Sequence, residues 1–183
     1  LLGYDPEAAK KLLAEAGYPN GFKTKLDCPN DRYINDEQTC VAIAAMWTRI
    51  GIQTELKTES RATYFPRMDK GEMDAFMLGW ATLPPMDGFS VLSALLAEPK
   101  DNFGGSNPTG YKNARIEELT RLSAVELDEP KRRAMLIEAL KIAKETIAYI
   151  PLHQQPVAWA MKANIDVPQF PDEYVRLWFA TVK

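Results

Sequence analysis

Two cysteines, one histidine and a scatter of carboxylates are what this 183-residue sequence offers to a search for chemistry. The histidine, His153, lies in "IPLHQQP" on a strand-like stretch, where a lone imidazole reads as a hydrogen-bonded structural residue rather than a base. The paired acids Glu117-Glu118 and Asp172-Glu173 are adjacent rather than spaced across a helix face, which is the pattern of solvated surface. Neither glycine-rich phosphate loop, G-x-G-x-x-G or G-x-x-x-x-G-K-[ST], is present. The G-x-S-x-G nucleophile elbow is missing too. Cys28 and Cys40 have no companion thiols, so the sequence offers no zinc site and no other metal set. If oxidised, they close a small loop between a strand end and the second turn of the next helix; if reduced, they are two buried thiols.

What remains is recognition chemistry at strand ends. The run "DAFMLGWATLPPMDGFSVL", residues 74–92, enters as a buried strand, reaches Trp80, and breaks at Pro84 and Pro85 before restarting as a helix after Asp87. In open α/β sheets ligands bind outside the carboxyl ends of strands. Trp80, Thr82 and Asp87 stand at such an end, and the Gly/Asn-rich loop 102–113 adds Phe103, Ser106, Asn107 and Tyr111. Aromatic faces with a few hydroxyl, amide and carboxylate groups are what a small-molecule pocket uses. Each residue has a structural alternative: Trp80 as a core plug, Asp87 as a helix N-cap, and Asn107 before Pro108 as turn chemistry.

The elements that must position these residues follow from period and punctuation. "YDPEAAKKLLAEAGYPNGF" is a helix with Asp5 as N-cap, Pro6 in its first turn, an apolar face of Leu12, Leu13 and Ala16, and a stop at Gly17. "FKTKLDC" alternates as a strand with Lys23, Lys25 and Asp27 on a polar face. The next helix has Asn35 and Gln38 in a capping-box spacing, a stripe of Cys40, Ile43, Trp47 and Ile50, and a stop at Gly51. "IQTELKTES" alternates again, so strand, helix and strand form a βαβ unit with parallel pairing. A short helix broken by Pro66 follows, then "AFMLGW" as a central strand covered on both faces. Helices are expected over "GFSVLSALLA", Asn113–Leu127 and Asp128–Ile147, packing through Ile116, Leu119 and Leu122 and through Met135, Leu136, Leu140 and Ala143. "YIPLHQQPVAWAM" reads as a strand interrupted by prolines, and the tail to Lys183 is aromatic and proline-rich. The fold class is α/β with one mixed sheet flanked by helices, in a single domain over 1–183.

Bulk composition excludes other classes. At 46% hydrophobic and 26% charged residues with a net charge of −3, the chain has no basic footprint for nucleic acid. No apolar run approaches the roughly 20 residues of a membrane span. The first methionine is Met46 and the first motif starts abruptly at Gly3, so the chain is expected to be an excised piece of a longer protein.

The segments "YDPEAAKKLLAEAGYPNGF", "ATYFPRMDKGEMDAFMLGW", "GYKNARIEEL", "RRAMLIEALKIAKE" and "AYIPLHQQPVAWAMK", in this order over nearly the whole chain, resemble the C-terminal half of family 5 extracellular solute-binding proteins. These are the dipeptide- and oligopeptide-binding components of ABC importers. The resemblance implies one lobe of a two-lobe periplasmic binding protein that closes on its ligand by hinge motion, with about 1–148 as the lobe body and about 149–183 as a returning strand and tail. It implies a binding role rather than catalysis, no cofactor, and three partners: a peptide or small polar solute, the permease subunits, and the N-terminal lobe of the same parent chain. The location it implies is periplasmic, or extracellular and lipid-anchored in a Gram-positive cell. Peptide-binding relatives carry an aspartate just after the Gly-Trp pair that meets the peptide amino terminus; here the first acid there is Asp87. Family members also take metal chelates, opines, glutathione and sugars. The alternative is an enzyme domain, a hydrolase or transferase whose catalytic group is supplied from elsewhere in the parent chain.

Overall fold

The computed structural model describes residues 3–82, 87–156, 158–170, 172 and 174–183. Helix α1 spans Pro6–Glu15, with the Asp5 carboxylate accepting the Ala8 N–H at 2.9 Å and Pro6 in the first turn, as the punctuation requires. It buries no residue, and Leu12 is exposed rather than part of a packed face. Strand β1 (Lys23–Pro29), helix α2 (Asp36–Arg49) and strand β2 (Gln53–Glu59) form the expected βαβ unit, with β1 and β2 parallel in register from Lys23 opposite Gln53 to Pro29 opposite Glu59. Gly21 and Gly51 lead into the two strands. A Cβ on Gly21 would meet the Gly51 carbonyl oxygen at 1.8 Å, so the two backbones approach as only glycine allows.

Helix α3 (Arg61–Asp69) runs through Pro66 instead of breaking there. Strand β3 is only Ala75–Phe76 and pairs in parallel with β1, giving the strand order β2-β1-β3. The "AFMLGW" run is therefore an edge strand, and β1 is the central one. Helix α4 (Phe89–Val91) passes directly into a π-helical turn, Leu92–Leu96, and helices α5 (Ala114–Val125) and α6 (Glu129–Glu145) pack on each other behind it. Strands β4 (Ile165–Asp166) and β5 (Thr181–Val182) pair antiparallel in a second sheet. The α/β class holds, with parallel and antiparallel pairings divided between two sheets. Residues 149–156 and 158–161 form no strand.

Among the described residues most buried apolar side chains fall in two clusters, with Tyr64, Met68 and Ala97 buried outside them. Leu26, Cys28, Cys40 and Met77 pack between the three-stranded sheet and α2, with Ile43 and Trp47 against them. Leu92, Leu95, Leu96, Ile116, Leu119, Leu136, Ala139 and Ala143 fill the space between the π-helical turn and α5–α6. Leu92 and Ile116 are fully buried, and each such side chain contributes about 1.5–3 kcal/mol relative to exposure. Leu122, expected on the packing face of α5, is 45% exposed, because that face turns towards α4 and α6 through Ile116, Leu119, Thr120 and Ser123 instead. Among the described residues no helix is long and apolar enough to cross a membrane.

Candidate ligand-binding site

All three parallel strands present their carboxyl ends on one side, and the loops leaving them define the candidate site. The loop after β1 is held from several directions. Asn30 N–H donates to the Glu59 carbonyl at 3.1 Å, and the Asp31 carboxylate accepts the Arg61 N–H at 2.6 Å, joining the loops after β1 and β2. Cys28 and Cys40 form a disulfide from the strand end to α2, with a Cα–Cα distance of 6.6 Å and both residues fully buried. The capping box expected at Asn35 and Gln38 is absent: Asn35 is left-handed (φ 55°) and makes no side-chain cap. Asp36 does the work instead, its carboxylate accepting N–H groups of Arg32, Tyr33 and Glu37 at 2.9–3.0 Å. Burial pushes the Asp36 carboxyl up, but those backbone donors outweigh it and hold the group below the ordinary aspartate value.

This loop presents Arg32 and Tyr33. The Arg32 guanidinium lies 4.9 Å from the Tyr33 ring centroid, is exposed, and makes no ion pair among the described residues. The Tyr33 hydroxyl donates to the Gly79 carbonyl at 3.3 Å, next to Trp80 at the end of β3. Trp80 is 39% exposed and its indole N–H donates to Ser90 Oγ at 3.1 Å. It is therefore partly exposed beyond the end of β3 with one end anchored, and not a core plug. Thr82 is half-buried beyond it; Leu83, Pro84 and Pro85 lie outside the described residues.

Asp87 holds the start of α4. One oxygen accepts the Phe89 N–H at 2.9 Å and the other pairs with Arg132 of α6 at 2.5 Å. Arg132 also lies 5.6 Å from the Phe89 ring centroid, and its Nε donates to the Ser123 carbonyl at 3.2 Å. Phe103 meets Phe89 edge-on at 6.3 Å and has the Arg121 guanidinium over its other side at 4.6 Å. Asn107 is buried and fully engaged: its amide donates to the Ala97 and Tyr111 carbonyls, and its oxygen accepts from Thr109 Oγ1. Tyr111 shares a 2.7 Å hydrogen bond with Thr146. The π-helical turn explains the docking of this loop, since Gly104 N–H and Ser106 N–H donate to the Ser93 and Ala94 carbonyls at 2.7 and 3.0 Å. The structure thus links Trp80, Asp87 and Phe103 through α4, while Asn107 and Tyr111 organise the loop from within. A depression of about 240 Å³ between Asp69, Pro99 and residues 104–108 adjoins Asn107. A larger one, about 340 Å³, lies at the amino ends of β1 and β2 by Gly21 and Gly51, away from these residues.

Beneath the strand ends, Asp27 is 1% exposed rather than on a solvated polar face. One oxygen accepts from Arg67 at 2.9 Å, and Arg67 also pairs with Glu59, so the hydrogen bonds that Arg67 donates to Asp27 and then to Glu59 hold the guanidinium firmly charged. Tyr64 donates to the Met77 carbonyl at 2.7 Å, and burial pushes its phenol well up, which keeps it a donor. Among the described residues no group of three or more His, Cys, Asp or Glu could hold a metal ion. His153 is exposed on a segment without regular structure. Arg32 and Tyr33 were not among the residues that the sequence singled out. The strand-end rule that selected Trp80, applied to β1, points to them.

A parallel βαβ sheet with an aromatic and a guanidinium at its carboxyl edge has groups suited to holding a small solute. The chain belongs to the bacterial extracellular solute-binding proteins, family 5 (middle region), whose model matches residues 2–103, more than half of its length. It is 37% identical over 153 residues to heme-binding protein A of Haemophilus influenzae, covering 81% of this chain and 27% of that protein. Among solved structures it resembles HbpA2 from Haemophilus parasuis, with TM-score 0.76, 26% identity, and coverage of 100% of this chain and 38% of that one. It also resembles the periplasmic binding protein DppA from Helicobacter pylori in complex with the peptide STSA, with TM-score 0.72, 29% identity, and coverage of 81% and 28%. The chain therefore spans between about a quarter and two fifths of the length of these relatives.

Proposed function

We propose that this chain is one ligand-facing lobe of a larger receptor that captures a small polar solute between two lobes and delivers it to the permease of an ABC importer, in the periplasm or on the outer face of the cell. The observation that carries the reading is that the loops leaving β1 and β3, which present the exposed Arg32 guanidinium and the exposed, anchored Trp80, are fastened to each other by the Tyr33–Gly79 hydrogen bond. An aromatic face and a planar cation suit a solute with a flat or apolar body and a carboxylate, which a peptide provides. Trp80, Thr82, Arg32 and Tyr33 make the contact surface, and Asp87, Phe103, Asn107 and Tyr111 hold its frame. Residues 1–148 form the lobe body in this reading. The tail from about 149 meets the N-terminal lobe, in keeping with the exposure of Tyr174, Leu177 and Trp178.

The test is a thermal-shift screen of the complete receptor against dipeptides, glutathione, opines, oligosaccharides, metal chelates and heme. A ligand at a hundredfold excess over its dissociation constant stabilises the native state by about 2.7 kcal/mol. The expected result is a shift for a carboxylate-bearing member, weakened about tenfold in affinity by Trp80→Ala. No shift with any compound, together with no small molecule extracted from the purified receptor, would remove this reading.

A further inference from the structure

We propose that Arg67 is a positioning residue of the ligand site: from α3 it clips the carboxyl ends of β1 and β2 together, and so sets the place of the loop that carries Arg32 and Tyr33. This rests on the function proposed above, which puts the solute against that loop. One guanidinium nitrogen, Nη1, meets two carboxylates: Asp27 of β1 at 2.9 Å and Glu59, the last residue of β2. Asp27 is buried and its second oxygen meets no donor, so among the described residues Arg67 is its one ion pair. Lys57 lies 3.4 Å from Glu59, and the Arg67 Nε lies 3.7 Å from Glu72 on the stretch leading to β3. The same helix also holds β3, since the fully buried Tyr64 donates to the Met77 carbonyl on the way to Gly79 and Trp80.

The clip reaches the loop in two steps. Glu59 is held through its side chain by Arg67 and through its backbone by the loop, because its carbonyl accepts the Asn30 N–H at 3.1 Å. One residue on, the Asp31 carboxylate accepts the N–H of Arg61, which opens the helix that carries Arg67. Arg67 to Glu59, Glu59 to Asn30 and Asp31 to Arg61 thus close a ring of contacts around the strand ends. Without the guanidinium, two carboxylates that now converge on one nitrogen face each other, and like charges so close repel. Lys57 answers Glu59 but leaves Asp27 buried without a cation. The repulsion acts where the Asn30 N–H meets the Glu59 carbonyl, so the loop loosens and a solute must order it on binding.

Hydrogen exchange on the complete receptor without ligand tests the clip, and titration with the dipeptide Leu-Leu tests its effect on binding. Arg67→Met is expected to speed exchange about tenfold at the Asn30 and Arg61 amides while the amides of α5 and α6 keep their protection. It should also weaken Leu-Leu about fivefold, read at a temperature where the receptor stays folded. Leu119→Ala is the control: it loosens the cluster between α5 and α6, away from the strand ends, and is expected to bind Leu-Leu as the wild type does. Equal weakening in both variants, or unchanged exchange at Asn30 and Arg61 in Arg67→Met, overturns the proposal and leaves the receptor reading intact. If Arg67→Met does not fold, Glu59→Gln, which breaks one arm and keeps the Asp27 pair, decides at the same amides. Where Leu-Leu does not bind the wild type, exchange at those amides decides. A receptor that binds nothing from the whole panel and yields no extracted molecule removes the proposed function, and this proposal falls with it.

Discussion

The Tyr33 hydroxyl donates to the Gly79 carbonyl at 3.3 Å, and its ring occupies the place where a side chain on residue 79 would begin: a Cβ there would lie 2.6 Å from Tyr33 Cε1. The loop after β1 and the rim after β3 are thus seated on each other by one aromatic ring. Arg32 and Trp80, each next in sequence to one of these residues, have their spacing set by that contact.

Substitution at this contact is expected to act on binding more than on folding. Gly79→Ala forces the Tyr33 ring aside and should weaken ligand binding by the complete receptor about tenfold. Tyr33→Phe keeps the ring and loses one partly exposed hydrogen bond, worth about 0.5–1.5 kcal/mol at most. Titration calorimetry alongside melting curves checks this. Equal losses of affinity and melting temperature across both variants would make the contact merely structural.

The disulfide fastens the same loop to α2. Cys28 and Cys40 are 12 residues apart, and closing a loop of roughly this size is worth about 3 kcal/mol, largely by restricting the unfolded chain. Cys28→Ala with Cys40→Ala is expected to lower unfolding stability by about that amount in denaturant titration. Thiol counting on the protein denatured without reductant should find neither cysteine reactive. Two reactive thiols in protein isolated from its own cell would show that the bond is not in use there.

The local pattern of the sequence was enough for α1, β1, α2 and β2, since each carries its own period and punctuation. It was not enough where a distant partner decides. Asp27 alternates with Leu26 and Cys28 as a solvent-facing residue should, but Arg67, 40 positions on, draws it into the interior. Asp36 outcompetes Asn35 as the capping residue because the loop turns back to bring three N–H groups to one carboxylate, which no i, i+3 spacing displays. At the site, Trp80 and the loop 102–113 were legible as strand-end and turn chemistry. Their division into rim and frame was not, because it depends on Ser90, Arg132 and Thr146 from other elements.

Gly104 is expected to be the least replaceable residue of the docked loop. Its φ is +68°, and a Cβ would lie 2.5 Å from the Ala97 carbonyl oxygen and the Glu98–Pro99 backbone, none of which is a flexible side-chain end. Gly104→Ala should therefore destabilise by more than the roughly 1 kcal/mol that a conformationally compatible Gly→Ala change gains, and detach the residue 104 and Ser106 N–H groups from the π-helical turn. Hydrogen exchange reads this as faster exchange at the amides of residue 104 and Ser106 with α1 and β2 unchanged. Unaltered protection at those two amides would show that the loop re-docks.

Asp36 gives the fold a defined acid sensitivity. Its folded-state pKa is lowered, so the carboxylate's stabilisation is complete above the unfolded value and is lost as pH falls through the folded one, below the ordinary aspartate value of 3.8. Three N–H donors converge on this buried group, and deleting a hydrogen-bonded charge of this kind costs about 1.5–3 kcal/mol. Asp36→Asn retains an acceptor but no charge, so it should be less stable than wild type at pH 7 and converge on it as the pH drops below the aspartate range. Denaturant titrations at pH 7 and pH 3 measure the difference. A deficit of the same size at both would mean that the carboxylate's charge contributes nothing and that shape alone holds the Arg32–Tyr33 loop.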